Sequence, residues 1–155
     1  MGWCKKIRAY LGLLHDGKKA KTILDKYITK LRKHGIKIHS IIVIGSRAYG
    51  YHTTSSDIDI VVIIEDYNKI REAIKLSLGT GYIEPRIYAK EDIETLLECY
   101  DAVLLEALEF GAIYYDDGTW TKLRKKYSKK IKKNVEFITE KGKIIAIKIK
   151  TKKTR

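Results

Sequence analysis

Ile41-Ile-Val-Ile-Gly-Ser-Arg-Ala-Tyr-Gly-Tyr-His-Thr-Thr-Ser-Ser-Asp-Ile-Asp-Ile60 is the most informative stretch of this 155-residue chain. An apolar, β-branched run ends abruptly at Gly45-Ser46, which predicts a buried strand that enters a tight turn. Ten residues later, Asp57 and Asp59 open a second apolar run. Because side chains alternate along a strand, we expect both aspartates to project from one face while the isoleucines between and after them point to the other.

The residue types around this turn suit a phosphate and a divalent cation. Gly45 lets the backbone turn sharply and approach a phosphate, and Ser46 adds a hydroxyl donor. Two carboxylates aimed at one point are ligands that magnesium accepts together with substrate phosphates. Each part alone is common as an ordinary turn or a solvated strand end. A chance match to the whole pattern occurs in roughly one chain of this length in a thousand.

Hydrophobic periodicity predicts an alternation of helices and strands on both sides of this stretch. We expect helices over Lys18–Lys33, Asp66–Leu78, Glu91–Cys99, Asp101–Phe110 and Thr119–Lys133, and strands over Ile38–Ile44, Ile58–Ile64, Tyr82–Tyr88 and Ile113–Tyr115. Val135–Thr139 and Ile144–Ile149 are predicted to pair as a hairpin. No linker or repeat divides residues 1–155, so the pattern predicts one domain of the α/β (α+β) class, with a single mixed β-sheet flanked by helices.

The Gly-Ser, ten residues, Asp-x-Asp pattern resembles the signature of the DNA polymerase beta nucleotidyltransferase superfamily, and most of all its minimal nucleotidyltransferases. The similarity covers about residues 20–133, and only the motif itself is highly specific. It implies that Gly45 and Ser46 contact a nucleoside triphosphate and that Asp57 and Asp59 bind magnesium. A third carboxylate on a later strand completes such sites, and the segment that begins at Tyr82 places it at Glu84.

Glu84 departs from the family pattern, in which aspartate is the commoner third ligand. Pro85 follows it at once and removes a ladder donor, which indicates an edge strand or a bulge. The alternative is a solvated glutamate on that edge. Arg47 and Arg86 are the arginines nearest the motifs, and we expect them to contribute to nucleotide binding. For Arg86, which shares the face of Glu84, a simple ion pair is the alternative.

Charge is strongly segregated along the chain. Residues 1–40 hold 11 basic and 2 acidic residues, residues 41–117 hold 6 and 15, and residues 118–155 hold 15 and 2. Basic ends are typical of a surface for RNA or another polyanion. Thermophilic composition explains the excess charge equally well, since the chain has no Gln and one Met. Clustering of the basic residues favours polyanion binding.

Two functions of different classes fit these observations. The first is an enzyme that transfers a nucleoside monophosphate from a triphosphate to an acceptor hydroxyl, with two magnesium ions held by Asp57, Asp59 and Glu84. The second is a catalytically weak binding module that covers a protein partner or holds RNA. The resemblance implies a HEPN-type helical partner, because minimal nucleotidyltransferases often act with one. No long apolar stretch or signal sequence is evident, so we expect a cytoplasmic protein with no membrane contact.

Overall fold

The computed structural model describes residues 11–50 and 52–150. The helices are α1 (Ala20–Lys33), α2 (Ser46–Tyr49), α3 (Ile70–Leu78), α4 (Ile93–Glu98), α5 (Ala102–Phe110) and α6 (Thr119–Lys126). The strands are β1 (Ile38–Ile44), β2 (Ile58–Ile64), β3 (Ile83–Ala89), β4 (Ala112–Asp116), β5 (Val135–Glu140) and β6 (Lys143–Ile149). Short 3₁₀ turns precede α3 and α4.

Strands β1 to β4 form a mixed sheet in the order β3-β2-β1-β4. β1 pairs antiparallel with β2 and with β4, whereas β2 and β3 run parallel. The α/β fold with a mixed, helix-flanked sheet is therefore confirmed. β3 lies at one edge of the sheet, as Pro85 had indicated, because an edge strand tolerates the missing backbone N–H.

Two apolar clusters pack on opposite faces of this sheet. Alternate residues of β1 and β2, such as Ile41 and Ile60, join α1 and α3 in one cluster. Ile42 and Val61 point the other way and pack with α4, α5 and α6. All seven residues of β1 are buried, because a central strand covered on both faces has no solvent side. Asp59 shares the parity of Val61 and so lies on the face of α4 to α6.

The basic segment predicted as one helix over Thr119–Lys133 is divided in the structure. α6 ends at Lys126, a π-helical turn spans Tyr127–Ile131, and a 3₁₀ turn covers Lys132–Asn134. Trp120, Leu123, Tyr127 and Ile131 are buried in the cluster beneath it. Tyr127 and Ile131 both lie on the core side. Their four-residue spacing favours this in an α-helix as well as in a π-helical turn.

The α6 helix is anchored to the sheet by one carboxylate. Asp116, at the end of β4, accepts hydrogen bonds from the backbone N–H groups of Gly118 and Trp120 and from the hydroxyls of Ser40 and Thr121. These donors lower the pKa of Asp116 even though burial opposes the shift. The basic segment is thus rigidly attached at its N-terminal end.

β5 and β6 form a separate antiparallel ribbon, as the hairpin prediction required. One side of the ribbon, with Val135, Phe137, Ile147 and Ile149, packs against the cluster of α4 to α6. Of the basic C-terminal region, residues 151–155 lie outside the described part of the chain. Within residues 11–50 and 52–150, no helix is both long and apolar enough to cross a membrane.

Candidate active site

Gly45 and Asp59 meet where β1 ends beside the start of β2. Ile44, the last residue of β1, pairs with Asp59 across the sheet, so the next residue, Gly45, turns beneath the aspartate. Gly45 has φ +70° and ψ −160°, a conformation that glycine alone adopts readily. A Cβ atom added there would overlap Oδ2 of Asp59. The missing side chain of Gly45 therefore makes the space that the carboxylate occupies.

Ser46 begins the short helix α2 directly after this turn. The amides of Ala48 and Tyr49 both donate to the carbonyl of Gly45, at 3.0 and 3.2 Å, and that of Gly50 donates to Ser46. Gly45 and Ser46 are partly exposed. The turn is accordingly ordered and open to solvent on the side where Asp59 lies.

Glu84 lies beside Asp59 in the sheet. The parallel register of β2 and β3 pairs Asp59 with Glu84, and residues paired in this way point to the same face. Their carboxyl groups are close enough for Glu84 to raise the pKa of Asp59. The third predicted ligand is thus brought to the second one by strand pairing, on the edge strand expected from the sequence.

Asp59 is the perturbed acid of the site. Burial first, and then the Glu84 and Asp57 carboxylates, raise its pKa to about 6, while Arg86 opposes the shift. Repulsion between carboxylates favours the protonated form of one of them. The site therefore holds more negative charge than its surroundings neutralise.

Asp57 stands slightly apart from the other two acids. It is exposed, precedes β2 by one residue, and is the weakest of the acidic groups that raise the pKa of Asp59. Among the described residues, no three His, Cys, Asp or Glu side chains form a preassembled metal cluster. Glu84 is thus the main acidic neighbour of Asp59, and the exposed Asp57 acts on it more weakly.

Arg47, for which the sequence suggested nucleotide binding, is a buried residue in the structure. It is 4% exposed, and its guanidinium donates to backbone carbonyls of Leu11, Leu13, Thr53 and Ser56. Burial lowers the pKa of Arg47, and Asp57 and Asp59 oppose that shift. Arg47 is thus a buried support that ties the segment before α1 to the loop between the two motifs.

Arg86 lies at the rim of the acidic pair. Its Nη2 is 3.4 Å from Oε1 of Glu84, and both side chains are about half exposed, at 54% and 51%. An exposed pair of this kind contributes little to stability. Its guanidinium is accessible and adjacent to Asp59, so the ion pair and a phosphate contact are both open to it.

The contacts that hold α2 from its other side were not predicted from the sequence. The Tyr49 hydroxyl donates to Oε1 of Glu106 at 2.7 Å, and its ring packs edge-on against Phe110. Tyr49 is thus a packing residue, and its partners lie about 60 positions further along the chain. The spacing of motifs cannot reveal such contacts, because they depend on how α5 crosses the sheet.

Comparison with known families gives a match over residues 25–118 to the model described as polymerase beta, nucleotidyltransferase. The chain belongs to the polymerase beta nucleotidyltransferase family. The matched segment contains the turn at Gly45, both aspartates and Glu84. No curated protein sequence matches the chain.

Among solved structures, the chain is similar to a protein of Sulfolobus solfataricus described as a candidate nucleotidyltransferase. The identity is 14%, and the alignment covers 63% of this chain and 78% of the other, with a TM-score of 0.40. The assignment to the family rests on the family model.

The residues of this candidate site fit magnesium by their chemistry. All three acids offer hard oxygen donors, which magnesium prefers. The raised pKa of Asp59 reflects burial first and then the negative charge of Glu84 and Asp57, which a bound cation would neutralise. The bare Cα of Gly45 leaves the carboxylate room beside the turn.

Replacing Gly45 by Ala should disturb the nucleotidyltransferase site far more than the same change at Gly50. Both residues have positive φ, +70° and +85°, but a Cβ at Gly50 meets no atom within 4 Å. We expect Gly50→Ala to lower the free energy of unfolding by about 1 kcal/mol and Gly45→Ala by about 2 to 4 kcal/mol. Denaturant titrations of the two variants measure this difference. Equal losses would show that Asp59 does not depend on the space above Gly45.

Magnesium affinity should rise with pH through about 6, because the proton on Asp59 competes with the metal.

Without metal, the free energy of unfolding should change with pH in the opposite direction. The pKa of Asp59 is higher in the folded state than in the unfolded chain. The contribution of Asp59 to stability is therefore fully present below about pH 4. It is lost as pH rises through about 6. Calorimetric magnesium titrations and metal-free unfolding at pH 4 to 8 test both trends. Asp59→Asn is the control and should flatten both.

Proposed function

We propose that the protein is a magnesium-dependent nucleotidyltransferase that transfers a nucleoside monophosphate from a triphosphate to an acceptor hydroxyl and releases pyrophosphate. The observation that carries this proposal is the meeting of Gly45, Asp59 and Glu84 at one point of the sheet. A glycine turn open to a phosphate lies there beside two carboxylates in contact.

Each residue has a definite task in this reaction. The backbone at Gly45 and the hydroxyl of Ser46 bind the phosphates, and Asp57, Asp59 and Glu84 hold two magnesium ions. When bound, magnesium supplies charge neutralisation on the phosphates and a lower pKa for the acceptor hydroxyl. The acceptor oxygen then bonds to the α-phosphorus as the bond to the β-phosphate oxygen breaks. Glu84 accepts the hydroxyl proton, and Arg86 binds the charge that develops on the phosphates.

The energetics of the acidic cluster favour an enzyme over a binding module. Burial and repulsion raise the pKa of Asp59, so keeping three carboxylates together lowers stability when no cation is bound. A module that only covered a HEPN-type partner would gain stability by losing one of them. Arg47 beneath the site offsets a part of this repulsion but does not face the solvent side, where the metal ions and phosphates would bind.

Incubation with labelled nucleoside triphosphates, magnesium, and candidate RNA and protein acceptors tests the reaction. Asp57→Asn and Asp59→Asn should each reduce transfer by about 100-fold or more while the protein stays folded, because a metal ligand is lost. Glu84→Gln should reduce transfer similarly but spare triphosphate binding. Glu72→Gln, at a partly exposed acid on α3 that pairs with Lys69 away from the motifs, is the matched control and should be neutral. Full activity in either aspartate variant would exclude the two-metal proposal.

We also propose that the acceptor is recruited by the basic segment that follows β4, since cations from α6 to β6 outnumber acids by 12 to 2 over residues 118–150. Lys126 is paired with Glu98, and Lys132 with Glu109. Binding of a polyanion to this basic segment would favour RNA as the acceptor. A protein acceptor of the HEPN type would be recognised without this charge.

RNA binding should weaken with salt and with neutralisation of Lys129, Lys130 and Lys133. Loss of three phosphate contacts should reduce the slope of log K against log salt by about 2. The matched control is Lys69→Gln, Arg71→Gln and Lys75→Gln on and beside α3, which removes the same charge elsewhere. Fluorescence anisotropy with labelled single-stranded RNA measures both. If RNA does not bind at low salt, thermophilic composition is the better account of the basic segment.

A further inference from the structure

A line of three aromatic rings joins the β5–β6 ribbon to the phosphate-binding turn. The ring of Tyr49 in α2 meets Phe110 edge-on, with centroids 6.1 Å apart and planes at 76°. Phe110 in turn meets Phe137 of β5 at 5.1 Å and 80°. Both contacts have the perpendicular geometry that aromatic pairs prefer. Two successive ring contacts therefore connect the ribbon with α2, although about 90 residues separate Tyr49 from Phe137.

The helix α2 depends on such contacts for its position. It has four residues, far fewer than an isolated helix needs for stability in water. Its first residue is Ser46, and its last, Tyr49, is held by Glu106 and Phe110 of α5. A displacement of Tyr49 would move Ser46 and change the hydrogen bonds to the carbonyl of Gly45.

Phe110 is held in place from two sides. It is the last residue of α5 and is 38% exposed. The rings of Tyr49 and Phe137 therefore shield much of its side chain from solvent. A two-stranded ribbon is marginally stable alone, and Phe137 is one of four ribbon residues that pack on the body of the protein. The ring of Phe137 thus serves both the ribbon and the end of α5.

We propose that Phe137 is a positioning residue for the triphosphate site. Through Phe110 and Tyr49 it fixes α2, and with it the orientation of Gly45 and Ser46 towards the phosphates. The proposal rests on the proposed function of that turn as the triphosphate site. It also gives the ribbon a role in nucleotide binding, separate from any charge-based contact with an acceptor.

Hydrogen exchange tests the positioning without any nucleotide. The amides of Ala48, Tyr49 and Gly50 donate hydrogen bonds within the turn, so their exchange reports how firmly α2 is held. Phe137→Ala should speed their exchange by about threefold to tenfold, and Phe137→Leu should do nearly the same, because leucine restores apolar volume but no ring edge. Phe137→Tyr should restore the wild-type rate. Ile145→Ala, at a 59% exposed ribbon residue, is the control and should change nothing.

Affinity for a non-hydrolysable nucleoside triphosphate with magnesium is the second readout. Phe137→Ala and Phe110→Ala should each weaken binding by about threefold to tenfold, and the double variant by no more than the larger single effect, because both changes break one chain of contacts. Full additivity would contradict a shared path. Unchanged exchange at residues 48–50 in Phe137→Ala and Phe137→Leu would overturn the proposal.

The two proposals fail in different ways. If the wild-type protein binds no triphosphate, the proposed function is wrong, and the exchange rates still decide whether Phe137 positions α2. If Phe137→Ala does not fold, Phe137→Leu and Phe137→Tyr carry the test. A purely structural role would lower the melting temperature of the Ala variant, leave exchange at residues 48–50 unchanged well below melting, and contradict positioning.

Discussion

The carboxylate of Asp59 lies against the bare Cα of Gly45, and this contact links the three strands that build the site. β1 supplies the glycine at its end, β2 supplies the aspartate at its start, and the parallel pairing of β3 adds Glu84. Any side chain on Gly45 would displace Asp59 and with it the carboxyl contact to Glu84. The relative positions of Gly45, Asp59 and Glu84 are therefore set by strand register and by one missing Cβ.

Holding acids together in this way requires support from residues outside the motifs. Arg47 is buried within the electrostatic range of Asp57 and Asp59, and its hydrogen bonds to four backbone carbonyls join the loop between the motifs to the segment before α1. On the other side, Glu106 and Phe110 hold α2 through Tyr49. The site is thus an open acidic surface on a firmly packed base, which is the arrangement that binding a cation and a triphosphate needs.

Much of the architecture could be predicted because it follows from local patterns. The β-branched runs at Ile38–Ile44 and Ile58–Ile64 match β1 and β2 residue for residue, and Pro85 correctly indicated an edge strand. The buried position of Arg47 could not be predicted, because its partners are backbone carbonyls, which leave no trace in side-chain spacing. Likewise, the contact of Phe137 with Phe110 depends on how the ribbon folds back over α5. The π-helical turn at Tyr127–Ile131 was missed because its apolar spacing also suits an α-helix.

We propose that Gly45, Asp57, Asp59 and Glu84 form one magnesium–triphosphate site. A crystal structure with a non-hydrolysable nucleoside triphosphate and manganese in place of magnesium tests it most directly, because anomalous scattering locates the metal. We predict phosphates over Gly45 and Ser46, and two metal ions about 3.5 to 4 Å apart that share the three carboxylates, with Arg86 released from Glu84. Phosphates bound elsewhere, with no metal at Asp59, would contradict the account.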